Sequence, residues 1–274
     1  MNDLNTLSTR MSRRLLHTAF LTLVFCGCSD GKVITDNADV ASEVGRDSEG
    51  EARTRKIRIA LVMKSLANEF FSTMADGATA HCQKHAYQYE LIVNGIPDET
   101  DLSGQVSLVE QMIAQDVDAI VVAPADSQAL VPVLKRAQDA GIVLVNIDNK
   151  LDRVTLENAT MIVPFVGPDN RSGAKKVGEF LASKLMAGDP IAILEGVPTS
   201  FNGQQRKLGF EDAMNAAGMK IVSSQSASWE MSIADQTTAG ILTAHPEVKA
   251  ILACNDSMAL GALSATRAAN RNDV

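Results

Sequence analysis

Basic residues, cysteines and aromatic side chains are all scarce in this sequence of 274 residues. Its 25 lysines and arginines face 33 aspartates and glutamates, which leaves a formal charge of −8. A protein that binds nucleic acid neutralises phosphates with an excess of basic side chains, so this class of partner is excluded. Charged residues make up 21% and hydrophobic residues 46% of the chain, which excludes a largely disordered protein. One large globular domain or two modest lobes remain.

Sequence patterns of common active sites are also missing. The sequence has no Gly-x-Ser-x-Gly elbow, phosphate-binding loop, dinucleotide fingerprint or cluster of metal ligands. His81 and His85 have a spacing that can hold a metal, but Cys82 stands where the zinc-protease motif requires glutamate. We therefore expect a packed histidine rather than a metal site, no cofactor and no enzymatic activity.

The apolar run Leu15–Phe25 is too short to span a bilayer as a permanent helix. Two arginines precede it and small residues follow it, which is the pattern of a secretory signal. The dipeptide that ends this region, Gly27-Cys28, resembles a bacterial lipobox, in which the cysteine is lipidated and begins the mature protein. We predict a signal peptide at 1–27, then a lipid anchor on Cys28 and a polar tether over 28–56. Ordinary signal cleavage nearby is the alternative.

Short apolar runs alternate with amphipathic helical segments from residue 57 onward. The runs are apolar at consecutive positions, which indicates strands covered on both faces of a parallel sheet. The predicted strands are Ile57–Met63, Tyr89–Val93, Ala119–Ala123, Ile142–Ile147, Met161–Val166, Ile191–Leu194 and Ala250–Cys254. Such repeated alternation favours a doubly wound α/β protein. A polar stretch without helical periodicity, 149–160, interrupts it, so we predict two similar lobes, 57–150 and 151–274.

Ligands of open α/β sheets bind beyond the carboxyl ends of the strands. The predicted strands end close to amides, carboxylates and aromatic rings. Planar amide and carboxylate groups can bond two hydroxyls at once, and aromatic rings cover the apolar C–H faces of a sugar. A cleft between the lobes, lined by these groups, suits a polyhydroxylated ligand.

Six segments resemble the periplasmic ribose-binding protein family. They are Ala60–Met63, Asn68–Phe71, Met74–Ala78, Val145–Asp148, Leu242–Pro246 and Asn255–Ala262. The resemblance covers 57–274 with nearly the family's spacing. It is specific to the superfamily that contains the sugar-binding proteins of ABC importers and the effector domains of LacI-type regulators. It implies the type I periplasmic binding protein fold, in which two α/β lobes close on a ligand.

The resemblance also implies roles for individual positions. The implied ligand-binding residues are the first-lobe cap Asn68, Phe70 and Phe71, the carboxylate Asp148, the stacking ring Trp229 and the amide Asn255. Some of these positions have simpler explanations. Phe71 and Trp229 could be packing residues, and Asp148 could cap a turn.

Three further candidates, Lys64, Asn149 and Gln204, depart from the family pattern. The ribose binders have a small hydroxyl residue at the position of Lys64 and arginines at the other two. We therefore expect a sugar or sugar derivative other than ribose. Lys64 could instead be a solvated loop residue, and Arg206 is expected to support its loop. Family members also continue past Val274, so we expect the second lobe to be incomplete.

The sequence thus predicts an extracytoplasmic substrate-binding protein that captures a small sugar and delivers it to an ABC permease. We expect a monomer in the periplasm, lipid-anchored to the cell envelope. The alternative is an exported sensor that passes its ligand state to a membrane receptor. A LacI-type repressor is excluded, because residues 1–56 carry a signal and tether instead of a helix-turn-helix.

Overall fold

A computed structural model describes residues 55–274. Strands and helices alternate along this part of the chain. The first group comprises β1 (Ile57–Met63), α1 (Glu69–Lys84), β2 (Tyr89–Gly95), α2 (Leu102–Ala114), β3 (Ala119–Val122), α3 (Val131–Asp139), β4 (Val143–Ile147), α4 (Arg153–Asn158) and β5 (Phe165–Val166). The second group comprises α5 (Asn170–Ala182), β6 (Pro190–Glu195), α6 (Phe201–Ala216), β7 (Lys220–Ser226), α7 (Met231–Ala244), β8 (Ala250–Ala253) and α8 (Asp256–Ala268).

The strands form two parallel sheets. The first has the order β2-β1-β3-β4-β5 and the second the order β7-β6-β8. In both sheets the earliest strand lies inside, with the next strand on one side and the third on the other. This change of direction separates the loops at the carboxyl ends of the strands and opens a crevice there. The predicted α/β fold with two similar doubly wound parallel sheets is confirmed.

The consecutive apolar residues of the central strands are buried on both faces. In β1, Ala60 and Val62 pack in one apolar cluster with α2 and α3, whereas Leu61 and Met63 pack in another with Phe71 of α1. Burying one aliphatic side chain of this size contributes about 1.5–3 kcal/mol. A polar residue at any of these positions would therefore lower the stability of the fold. For this reason, polar and apolar residues do not alternate over Ala60–Met63.

Two strands differ from the prediction. β7 was not predicted, because only two of its residues, Ile221 and Val222, are apolar. The others are Lys220, three serines and a glutamine. It lies at the edge of its sheet and is half-buried, so it does not need a continuous apolar run. In the predicted run Met161–Val166, only Phe165–Val166 forms a strand.

The first sheet continues beyond the predicted lobe boundary at residue 150. Strand β5 pairs with Asn146–Ile147 of β4, so this sheet ends at Val166. The polar stretch before β5 contains the helix α4. This helix was not predicted, because the stretch has no helical periodicity. The Asp152 carboxylate caps this helix by accepting a hydrogen bond from Thr155 N at 2.8 Å. Six residues are too few to display a helical period.

The predicted signal peptide, the Cys28 anchor and nearly all of the polar tether lie outside the described residues. Between residues 55 and 274, no helix combines the length and apolarity that a membrane span requires.

Candidate functional site

The carboxyl ends of both sheets open onto one cavity of about 610 Å³. This volume lies within the range of about 300–1,000 Å³ that small-molecule sites occupy. The segments after β1, β2 and β4, with the start of α1, form its first wall. Strand β8, the loop after β7 and the starts of α5, α6 and α8 form its second wall. Seven of the nine predicted residues line it, namely Lys64, Asn68, Phe70, Phe71, Asp148, Trp229 and Asn255.

Lys64 is buried inside the cavity, with 2% of its surface exposed. Its Nζ lies 3.5 Å from Asp148 Oδ2 and 3.8 Å from Glu99 Oε2. The same ammonium lies 5.7 Å from the ring centroids of Phe71 and Trp229. The alternative of a solvated loop lysine is therefore wrong, because carboxylates and rings replace water around this charge.

Glu99 belongs to the cavity although it was not among the predicted residues. It follows β2 by four residues, and its buried Oε1 accepts a hydrogen bond from Asn68 Nδ2 at 3.1 Å. Burial raises the pKa of the Glu99 carboxyl, although the Lys64 charge and the Asn68 bond act in the opposite direction. The position of Glu99 beyond a strand end was a signal that could have identified it.

Asp148 has a left-handed backbone, with φ of 58°, directly after β4. Aspartate tolerates this conformation better than most residues do. The turn directs the carboxylate inward, where Oδ2 lies 3.5 Å from Lys64 Nζ and 3.5 Å from Asn202 Nδ2. Since Lys64 belongs to the first lobe and Asn202 to the second, this carboxylate contacts both walls.

Trp229 is buried at the second wall and also has a left-handed backbone, with φ of 69°. For a bulky residue this conformation is strained and requires support from its surroundings. Gly196 and Gly203 provide room, since a Cβ at Gly196 would lie only 2.1 Å from the Trp229 ring. Within the described part of the chain, the buried Nε1 of Trp229 and Oδ1 of Asn202 have no hydrogen-bond partner. A donor and an acceptor are thus left over at one wall.

Arg206 and Asn255 hold the second wall together. Arg206 Nη1 donates to Cys254 O at 2.8 Å, and its Nε donates to Asn170 Oδ1 at 2.8 Å. Asn255 caps α8 by accepting from Met258 N, and its Nδ2 donates to Trp229 O at 3.1 Å. Both side chains line the cavity, but these bonds also fix the ends of β7 and β8.

The two neighbouring phenylalanines lie differently. Phe70 is 53% exposed, whereas Phe71 is 4% exposed and packs in the core cluster beneath β1. Their rings meet edge to face, with centroids 5.1 Å apart. Phe71 is thus both a packing residue and part of the cavity wall.

Asn149 and Gln204 are placed outside this cavity. The amide of Asn149 is buried and donates to Pro124 O at 2.9 Å. Gln204 Nε2 donates to Pro198 O at 2.8 Å and lines a separate depression on the second lobe. Sequence position alone did not reveal that both amides are already bonded to backbone carbonyls.

The two histidines at the end of α1 lie away from the cavity. The rings of His81 and His85 stack with centroids 4.4 Å apart, and His81 Nδ1 lies 2.6 Å from the Tyr89 hydroxyl. Over residues 55–274, no group of three or more histidine, cysteine, aspartate or glutamate side chains has the arrangement of a metal site.

Residues 59–274 match the sequence model of the periplasmic binding protein domain family. The D-ribose/D-allose-binding protein of Pseudomonas aeruginosa is 62% identical over 216 residues, which are 79% of this chain and 68% of that protein. The ribose import binding protein RbsB of Escherichia coli is 30% identical over 219 residues, which are 80% of this chain and 71% of that protein.

Two solved structures have a similar fold. An ABC transporter solute-binding protein from Burkholderia multivorans, with an unknown ligand interpreted as α-D-erythrofuranose, has a TM-score of 0.79 and 57% identity. The alignment covers 79% of this chain and 77% of that one. A periplasmic solute-binding protein from Actinobacillus succinogenes with bound D-allose has a TM-score of 0.72 and 41% identity, covering 78% and 74% of the two chains.

Proposed function

This chain belongs to the periplasmic binding protein domain family, and from that premise we propose that it captures a neutral monosaccharide in its inter-lobe cavity for an ABC importer. The observation that carries this proposal is the pairing of two walls around one cavity. The first wall offers the charged and amide groups of Lys64, Asp148 and Asn68. The second offers the Trp229 ring and the unpartnered oxygen of Asn202.

These groups suit the surface of a monosaccharide. Each sugar hydroxyl donates one hydrogen bond and accepts others, so it can bond Asp148 and Lys64 at the same time. The ring of Trp229 offers an apolar face to sugar C–H groups, and its Nε1 can donate to an oxygen. Bonds made in a cavity that excludes water are stronger than those on the surface.

Closure of the lobes follows from the same arrangement. A ligand that contacts both walls has better contacts with the closed form than with the open form. It therefore shifts the population towards the closed form by a hinge motion. Delivery to a permease that recognises the closed form fits the names of the relatives, two of which are called import or sugar-binding proteins. These names favour import over the alternative of a sensor.

The sugar that we propose is an aldose of the D-allose or D-ribose type, so ribose is included although the departures at Lys64, Asn149 and Gln204 argued against it. A relative of 62% identity is named for both sugars, and a structure of 41% identity contains D-allose. Among the described residues, four carboxylates line the cavity against the two cations Lys64 and Arg206, which disfavours an additional negative charge on the ligand; the carboxylates are Glu99, Asp148, Asp169 and Asp256.

The emission of Trp229, the single tryptophan of the sequence, provides the test. We expect saturable changes with D-allose or D-ribose and weaker binding of D-ribose 5-phosphate. Asp148→Asn should weaken sugar binding about tenfold, because a charge-assisted hydrogen bond is lost. Asp212→Asn, which removes an exposed pair with Arg171, is the matched control. Failure of the protein to bind any neutral monosaccharide at millimolar concentration would overturn the proposal.

We also propose that the protein is a monomer of the periplasm, anchored through a lipid on Cys28. The family supports the periplasmic location, and the charged start, apolar run and lipobox-like ending of the N-terminal region support the lipid anchor. The mass of the mature protein, purified from its own cell envelope, tests this. A diacylglyceryl-modified cysteine at the N-terminus is the expected result, and an unmodified N-terminus elsewhere contradicts it.

A further inference from the structure

The first turn of α6 is not capped by the residue that precedes it. Ser200 occupies the N-cap position, but its hydroxyl donates to Val197 O at 2.7 Å and makes no bond to the helix amides. The first amides of a helix have no partner within the helix, so they need acceptors from elsewhere. Those acceptors come from the other lobe.

Two side chains of the first lobe accept these hydrogen bonds. Phe201 N donates to Ser127 Oγ at 2.9 Å, and Asn202 N donates to Asn149 Oδ1 at 3.2 Å. Ser127 and Asn149 are buried, with 5% and 0% of their surface exposed. The Ser127 hydroxyl lies 3.4 Å from Asn149 Oδ1, so it can donate to the same oxygen.

The two acceptors are held firmly by their own lobe. Asn149 Nδ2 donates to Pro124 O at 2.9 Å, and Asn149 O accepts from Asn146 Nδ2 at 2.8 Å. These bonds fix Asn149 to the ends of β3 and β4. Asn149 is therefore held in a fixed position relative to the first sheet.

A further contact crosses between the lobes beside this pair. The Asp126 carboxylate accepts hydrogen bonds from the Gln128 and Ala129 amides at 2.7 and 2.8 Å. Burial acts to raise the pKa of Asp126, but these bonds and the side chain of Thr199 in the second lobe lower it. Lys150 Nζ also lies 5.9 Å from the ring centroid of Phe201. The start of α6 is thus surrounded by first-lobe groups.

Helix α6 carries groups of the second wall. Asn202 lies in its first turn and lines the cavity, with the unpartnered Oδ1 described above. Gly203 follows, and a Cβ at this position would lie 3.0 Å from the Trp229 ring. A shift of the first turn would therefore move Asn202 and disturb the seat of Trp229.

We propose that Ser127 and Asn149 are positioning residues, which cap α6 across the lobe interface and so hold Asn202 and Trp229 in their ligand-binding places. The proposal rests on the proposed function, because it assumes that the second wall binds the sugar. Because the acceptors and the amides belong to different lobes, the two bonds tie the first turn of α6 to the end of the first sheet.

Amide hydrogen exchange of the full chain tests the contact without any ligand. Exchange at Phe201 and Asn202 should be about five- to tenfold faster in Ser127→Ala and in Asn149→Ala than in the wild type, since each loses one buried hydrogen bond. Ser127→Thr, which keeps the hydroxyl, should restore protection at Phe201. The control is Thr266→Val: Thr266 is also 5% exposed, but its hydroxyl donates to Leu263 O of its own helix. Unchanged exchange at both amides in both alanine variants would overturn the proposal.

Stopped-flow titration with D-allose and D-ribose tests the positioning role. We expect Ser127→Ala and Asn149→Ala to raise the dissociation rate of the sugar about five- to tenfold, with a smaller change in the association rate. Faster exchange with unaltered sugar kinetics would overturn the positioning role. If the wild type binds neither sugar, the proposed function fails. The Trp229 emission of the unliganded variants then decides: a shift from the wild-type maximum supports the positioning role, and an identical spectrum refutes it.

Discussion

Lys64 is held between two carboxylates, Glu99 and Asp148, at distances of 3.8 and 3.5 Å. In a buried site the removal of one charge leaves its partners uncompensated, which costs about 3–5 kcal/mol. The ammonium thus stabilises the first wall, and it also offers hydrogen-bond donors towards the cavity.

Substitution of Lys64 by methionine keeps most of the side-chain volume and removes the charge. We expect Lys64→Met to lower the free energy of unfolding by about 3 kcal/mol, because two buried carboxylates then repel each other. Urea denaturation measures this change. Lys135→Met, which removes an exposed pair with Asp139 on α3, should change stability by less than about 0.5 kcal/mol. Equal effects of the two variants would contradict the buried network.

Glu99 makes the stability of the protein depend on pH in a defined direction. Its pKa is raised by burial, against the effects of Lys64 and Asn68, so the folded protein holds this proton to higher pH than the unfolded chain does. The contribution of Glu99 to stability is complete below the unfolded pKa and is lost as pH rises through the folded pKa.

Glu99→Gln removes this titration. We therefore expect the free energy of unfolding of the variant, relative to the wild type, to increase as pH rises from about 4.3, the ordinary pKa of glutamate, towards neutrality. Urea denaturation across this range measures it, and Glu110→Gln, on the exposed face of α2, gives the background for such a change. A relative stability that falls with rising pH would show that the sign of the Glu99 shift is wrong.

The sequence predicted that a side chain lines the cavity only where the residue follows the end of a strand. The rule that ligands lie at strand ends, with the family resemblance, brought together Asn68, Asp148 and Asn255, all of which line the cavity. It could not distinguish an amide that faces the cavity from one that bonds backbone. Asn149 is such a case, since its partner Pro124 lies 25 positions earlier in the chain.

At the scale of elements, the end of β6 and the start of α6 together form the seat of Trp229. Gly196 follows β6 and lies too close to the indole ring for a larger residue, and Gly203, in the first turn of α6, leaves only a tight contact of 3.0 Å for a Cβ. The strained backbone of Trp229 persists because these elements, and the Asn255 amide that bonds its carbonyl, support it.

Gly196→Ala tests this seat. The added Cβ would lie 2.1 Å from the ring, so the indole must move, and we expect a shift in Trp229 emission and at least tenfold weaker sugar binding. Gly240→Ala, in the exposed part of α7 with open space around the glycine, should instead raise stability by about 0.5–1 kcal/mol. An unshifted emission maximum in Gly196→Ala would contradict the packing described for Trp229.

Central strands were predictable and marginal elements were not. β1 and β6 have consecutive apolar residues because both faces are covered, and their predicted positions agree with the structure to within one residue. β7 lies at a sheet edge and has only two apolar residues, Ile221 and Val222, and α4 is too short for a periodicity. Edge position and short length both weaken the pattern on which such predictions depend.

At the scale of the whole molecule, two separately cored sheets share one cavity. Asp148 approaches Lys64 in its own lobe and Asn202 in the other, and Ser127 and Asn149 meet the start of α6. The sequence predicted the two sheets through their alternating elements. The cross-lobe contacts could not be predicted, because they join residues more than 50 positions apart that carry no shared pattern.

The central claim is that both walls bind one sugar, and a crystal structure of the protein with D-allose or D-ribose tests it most directly. We expect the sugar inside the cavity, with hydroxyls within hydrogen-bond distance of Asp148 and Asn202 and with its C–H face against Trp229. A sugar bound to one lobe alone, or at a site away from this cavity, would contradict the claim.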